Sequence, residues 1–265
     1  MSTDVLVVRA TIRVFLLRFA SNPIMLIRGP LTPILLLVAF RLAYTASGHT
    51  EVSGQSAVGF LVIGMLGTMA WNAAIWGSGH ALQSEIYGGT IGPVVVAPGR
   101  TSAVILGQGL GSIIWEIPAL ICCIAVGFGF GAHFSIGNPI LPIFCLIVLY
   151  ASTLCIGLAF SGLFILTRQA NAMANFLQAP IWLLAGFYVP RSALPNWLEK
   201  VSDILPIAHA MDALRAASLS AASFSDVWRP LVSTVLTSLL FLAAGVWSLS
   251  RMDGAVRRRA TLELL

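Results

Sequence analysis

Six apolar stretches constrain this chain before anything else does. Residues 29–46, 56–78, 102–131, 139–167, 170–189 and 230–250 each approach or exceed the roughly 20 apolar residues that a helix needs to cross a bilayer core. The third and fourth are long enough to tilt or protrude, and the short link after the fourth makes the fifth run antiparallel to it. A chain with so many such stretches is expected to be an all-α membrane protein with six transmembrane helices, because helices satisfy their own backbone in lipid. Only 9% of the residues are charged and 58% are apolar, against about 25% and 45–50% in soluble domains. That excludes an ordinary cytosolic enzyme, a DNA-binding domain and a disordered tail. Cys122, Cys123, Cys145 and Cys155 all lie in apolar stretches without metal-type spacing, and read as small packing residues.

The first 28 residues differ. Val5, Val8, Ile12, Phe15 and Phe19 recur at helical spacing, with Arg9 and Arg13 off that stripe, which predicts an amphipathic interfacial helix over 1–28. A signal peptide is the rival, but Arg residues interrupt its would-be apolar core and no small-residue cleavage site is evident. With a cytoplasmic N-terminus, Arg9, Arg13, Arg18, Arg28, Arg100, Arg168, Arg251, Arg257, Arg258 and Arg259 lie inside. Arg191, Lys200, Arg215 and Arg229 lie outside, offset by Glu199, Asp203, Asp212 and Asp226. The positive-inside bias then places both termini in the cytoplasm. Arg41, near the outer end of the first span, is positioned to snorkel to headgroups.

Two segments break the pattern. Residues 79–101, GHALQSEIYGGTIGPVVVAPGRT, form the longest cytoplasmic loop, with Gly-rich breaks around an apolar centre. Such a loop either folds against its own bundle or offers a short helix to a partner groove. Residues 190–228 are external, and Pro190, Pro195 and Pro206 exclude one continuous helix. Trp197, Leu198, Val201, Ile204 and Leu205 still show helical spacing, so broken helices that re-enter the outer leaflet before the last span are expected.

Together these segments resemble the permease family of type-2 ABC exporters, within it the daunorubicin-resistance type of bacterial permease. The resemblance rests on Gly186-Phe187-Tyr188-Val189-Pro190, Leu194-Pro195-Asn196-Trp197-Leu198, Leu205-Pro206 and Asp212-Ala213-Leu214-Arg215, in order after the fifth span. Glu85, Gly89-Thr90, Pro98 and Arg100 match the family's ATPase-coupling segment, although Ile91-Gly92-Pro93-Val94 replaces its usual acidic residue and Leu run. The resemblance implies one transmembrane permease domain over 1–265 in a bacterial cytoplasmic membrane. It also implies a second permease chain, identical or related, and two copies of a separate ATPase.

The chain carries no chemistry of its own. Its one Lys, Lys200, lies in Leu-Glu-Lys-Val, so no P-loop is present. ATP and Mg are therefore expected on the partner ATPase, with no cofactor on this chain. His49, His80, His133 and His209 fall in separate loops, and no metal site or catalytic residue is expected. The resemblance implies that closure of an ATPase dimer pushes on the 81–99 loop and the N-terminal helix. That would shift the spans between inward-open and outward-open packings, through differential affinity for the two states.

Candidate pathway residues follow from helical spacing. Asn171, Asn175, Gln178 and Trp182 share one face of the fifth span. Amides in lipid require partners or water, so the face either seals a dimer seam or lines a translocation path, and both roles are compatible. The resemblance adds Trp71, Asn72 and Trp76 on the second span as the opposing wall. Glu116, mid-way along the third span before Pro118, is a functional-site hypothesis by its position, with a structural role as the rival. Gly107-x-x-x-Gly111 and Gly127-x-x-x-Gly131 permit close helix packing. The expected activity is outward movement of an amphipathic drug-like or lipidic compound. The alternatives are export of a polysaccharide or lipid-linked glycan, a proton-coupled secondary transporter using Glu116, and a non-transporting scaffold. The secondary transporter lacks the expected internal repeat.

Overall fold

The chain leaves its first helix at a local stop that the hydropathy profile does not register. In the computed structural model, which describes residues 3–48, 51–52, 54–89, 101–166 and 169–262, helix α1 covers Thr3–Ala20 and α2 covers Pro23–Ala46. Between them Asn22 accepts a hydrogen bond from the Ile24 amide at 3.1 Å. Asn at the N-cap and Pro at the first helical position are the preferred start of a new helix. The helix expected at the interface therefore ends at Ala20, not residue 28, and residues 23–28 belong to the first membrane-length helix.

A two-residue hairpin, β1 (Glu51–Val52) and β2 (Gln55–Ser56), leads into α3 (Ala57–Asn72). The helix continues as a π-helical segment, Ala73–Gly79, and then α4 (Ala81–Tyr87). Helices α5 (Thr101–Gly129), α6 (Ile140–Leu166) and α7 (Ala170–Leu184) follow. The external region holds a 3₁₀ turn at Arg191–Ala193, α8 (Asn196–Ser202) and α9 (Pro206–Leu219), and α10 runs over Phe224–Leu262.

Among the described residues five helices are long and apolar enough to cross a membrane: Pro23–Ala46, Ala57–Gly79, Thr101–Gly129, Ile140–Phe164 and Phe224–Arg251. The expected fifth crossing over 170–189 is helical for only 15 residues, because Gly186 at φ 69° turns the chain out of the helix. The last helix begins at Phe224, six residues before the apolar stretch, where Ser223 donates its amide and hydroxyl to the Asp226 carboxylate at 2.8 and 2.9 Å. The Asp226 amide in turn donates to the Ser223 backbone carbonyl at 3.0 Å, which fixes the start of the helix. This start also takes residues 224–228 out of the irregular external segment.

Helix α3 is the centre. Of its membrane window 89% is buried, against 11–44% for the other four, and α2, α5, α6 and α9 surround it. Small residues set the contacts. Gly127 leaves room for Val62 of α3, and Gly107 and Gly111 make room for Val8, Thr11 and Phe15 of α1. The stripe on α1 thus lies on α5, with Phe15 stacked on Phe19 at 4.4 Å and Phe19 against Trp115 at 5.6 Å. Gly131 belongs to a turn at φ 83°, not to a second packing pair with Gly127.

Candidate functional site

The π-helical segment is where α3 meets its neighbours most tightly. A Cβ on Gly77 would strike Ser112, one on Gly109 would strike Ser78, and one on Gly157 would strike Ser78 and the Ala74 carbonyl. The widened turn leaves the Ala73 carbonyl to accept from the Ser112 hydroxyl at 3.2 Å. Segments of this kind recur at functional sites. His80 closes the segment with a ring nitrogen 3.0 Å from the Ile75 carbonyl, and its ring stacks on Trp76 and leans on Phe164, each at 4.7 Å.

From His80 the chain turns directly into α4, where Ala81, Leu82, Gln83 and Glu85 are buried. The described part of the segment, residues 79–89, thus packs against its own bundle, whereas its apolar centre lies outside the described residues. Glu85 accepts a hydrogen bond from Gln108 of α5 at 2.9 Å, and an Arg18 nitrogen of α1 stands 4.0 Å away. Three elements far apart in sequence meet at this carboxylate. Gly89 adopts φ 67° in open space, whereas Thr90, Pro98 and Arg100 lie outside the described residues. Arg18 and Gln108 carry no motif in the sequence. Only the Gly107 and Gly111 spacing hinted that something docks there.

The pathway candidates separate. Trp71 is 1% exposed and sits edge-on to Phe160 at 6.2 Å, inside the core. Trp76 is 42% exposed and Asn72 half-buried. On α7, Asn171 and Asn175 are exposed, and Gln178 and Trp182 half-buried. Trp182 meets the Tyr188 ring edge-on at 5.5 Å, and its indole nitrogen has no hydrogen-bond partner among the described residues. Glu116 on α5 is half-buried, and one of its carboxyl oxygens is buried without a hydrogen-bond partner, as is the Tyr150 hydroxyl of α6.

At the other end of the bundle the external signature forms a tight knot. Phe187 is fully buried in the notch left by Gly64 and Gly67 of α3. Tyr188 bonds through its hydroxyl to Thr68 and stacks on Phe40 at 4.0 Å, while its carbonyl accepts from Tyr44 at 2.6 Å. Arg215 of α9 donates to the Gly186 and Phe187 carbonyls and covers the Phe60 ring at 4.0 Å. Arg191 bridges Asp203 and Asp212. Within the signature, Phe187, Tyr188 and Arg215 are therefore the residues that pin the end of α7 to its neighbours. Their partners Gly64, Thr68 and Tyr44 had no signal of their own in the sequence.

A bundle of membrane-length helices with segments tied down at both ends has the make-up of a membrane permease subunit. Residues 6–219 match the family described as the ABC-2 type transporter, and the chain belongs to that family. It is 22% identical over 215 residues to the daunorubicin resistance ABC transporter permease protein DrrB1 of Streptomyces coeruleorubidus, covering 80% of this chain and 75% of that one. It is 27% identical over 144 residues to the probable multidrug ABC transporter permease YbhR of Escherichia coli, covering 54% of this chain and 39% of that one. Against the ABC transporter G family member 20 of Dictyostelium discoideum it is 25% identical over 190 residues, 70% of this chain but 26% of that one. The matched region is thus well under half the length of the last two relatives.

Proposed function

We propose that this chain is the membrane-spanning subunit of a bacterial ABC exporter that moves an amphipathic drug-like or lipidic compound outward. In this reading ATP is hydrolysed with Mg on a separate P-loop subunit, present in two copies, and a second permease chain completes the pathway. Helix α7, about 22 Å long at 1.5 Å per residue, makes the sixth crossing together with residues 185–188. Both termini face the cytoplasm of a bacterial inner membrane, and the broken pair α8 and α9 enters the outer leaflet.

The carrying observation is the junction at Glu85, where the coupling segment is tied to both α1 and α5. A push delivered to α4 reaches two helices at once, and through the π-helical segment it reaches α3. The exposed amide face of α7 supports the rest, since Asn171 and Asn175 require water or a second chain within a bilayer. The relatives named for multidrug and daunorubicin resistance support the substrate class.

Affinity purification of the tagged chain from its native membrane, followed by mass spectrometry, tests the reading. A P-loop ATPase at about one per permease is the expected result. Recovery of the chain alone, under conditions in which other complexes survive, overturns it. In the reconstituted complex, Glu85→Ala should leave ATP hydrolysis within about twofold and cut export at least tenfold. Unchanged export by that variant refutes the coupling role. Glu116→Gln should leave the pH dependence of export intact. Loss of export with ATP hydrolysis preserved would instead favour the proton-coupled alternative, which the unpartnered Glu116 oxygen motivates.

A further inference from the structure

A cavity of about 450 Å³ opens at the outer end of the bundle, between the end of α2, the start of α3 and the turn after α5. Its volume falls within the roughly 300–1,000 Å³ of small-molecule pockets. Arg41, Tyr44, Thr45, Glu51, Ser56 and His133 supply its polar lining. The pathway faces of α7 and α3 contribute nothing to it. Arg41 lies over the Phe130 ring at 4.4 Å, and neither its guanidinium nor the Glu51 carboxylate has a hydrogen bond or ion pair among the described residues. A guanidinium presents five donors in a planar fork suited to phosphate. A half-buried guanidinium without a hydrogen-bonding partner is costly, and the exposed Glu51 on the same cavity supplies the opposite charge for a ligand that carries both.

We propose that this cavity binds the zwitterionic headgroup of an aminophospholipid, with phosphate on Arg41 and ammonium on Glu51. The hydroxyl of Ser56 accepts from the Gly59 amide at 3.4 Å and keeps its proton to donate to a phosphate oxygen. A lipid fits better than a soluble phosphate compound, because the two helices that frame the cavity stay apolar and exposed below it. Leu35 and Leu42 of α2 are 57% and 62% exposed, and Ile121 and Phe128 of α5 are 60% and 59% exposed. Acyl chains would lie on those side chains. Tyr44 sits in the cavity wall and also holds the Tyr188 carbonyl, so an occupied site would brace the external knot.

The test is native mass spectrometry of the full chain, together with any co-purified ATPase, in detergent. Added phosphatidylethanolamine is compared with phosphatidylglycerol, diacylglycerol and inorganic phosphate. Phosphatidylethanolamine should be retained at least tenfold better than diacylglycerol. Arg41→Ala should remove that advantage and Arg41→Lys should keep most of it. Glu51→Gln, at an exposed position where folding is not at stake, should erase the preference for phosphatidylethanolamine over phosphatidylglycerol while total phospholipid binding persists. Equal retention of diacylglycerol, an unaffected Arg41→Ala chain or an unchanged preference in Glu51→Gln overturns the proposal. Displacement of the lipid by millimolar inorganic phosphate also overturns it, by assigning the site to a free anion.

Discussion

A Gly64→Ala chain should fail to accumulate as folded protein. The added methyl would land well under 3.0 Å from the Phe187 carbonyl oxygen, with the Phe187 backbone behind it. Backbone cannot rotate away as a flexible side chain can, so either α3 or the 186–190 segment has to move. Moving that segment pulls Phe187 from its notch and separates Tyr188 from Thr68. Ordinary overpacking costs about 1–3 kcal/mol, and this substitution should reach or exceed the upper figure. Fluorescence-detected size exclusion of detergent extracts, followed by a thermal melt, measures it. Gly129→Ala, whose methyl would meet nothing within 4 Å, is the matched control and should behave as the parent. A Gly64→Ala chain that melts with the parent would show that Phe187 does not sit where the structure puts it.

Arg215→Met should be nearly as damaging, for an electrostatic reason. Arg215 is 8% exposed. Its guanidinium serves two carbonyls that the turn at Gly186 removes from helical pairing, and it shares a helix face with Asp212. Methionine keeps much of the volume but leaves both acceptors unmet. Each buried acceptor left unmet costs about 1–3 kcal/mol. A thermal shift of the purified chain reads the loss. Arg215→Lys should recover part of it, since the charge returns without the planar fork. Equal melting of the Met and parent chains would reduce the knot to its apolar contacts.

Hydropathy alone was enough to place the five long helices to within a few residues at most ends, because about 20 apolar residues in a row leave little choice of structure. It was less informative where termination is local. The stop at Asn22–Pro23 and the start at Ser223 depend on single side chains caring for backbone amides, and neither changes the mean hydropathy of its neighbourhood. The shortening of the fifth stretch has the same origin, since Phe187 and Tyr188 are apolar enough to extend a hydropathy plot yet follow a glycine with positive φ. The π-helical segment has no sequence signature that we can name. Within the site, Glu85 was legible from its loop, but Gln108 and Arg18 come together with it only through packing of α1 into the Gly107 and Gly111 groove. Trp71 and Trp76 were grouped as one wall by the family resemblance alone. The wider turn starting at Ala73 lies between them, and one ends in the core while the other is open.

Helix α7 buries only Ala170, Ala174 and Ile181, whereas its C-terminal end runs straight into the turn that Tyr44, Thr68 and Arg215 hold by hydrogen bonds. Local opening is cheapest where little buried surface is surrendered, so displacement of this helix has a built-in pivot. Such a helix would turn about Gly186–Tyr188 like a door on its hinge, carrying its short link to α6 with it, and its amide ladder would be wetted as it left the bundle.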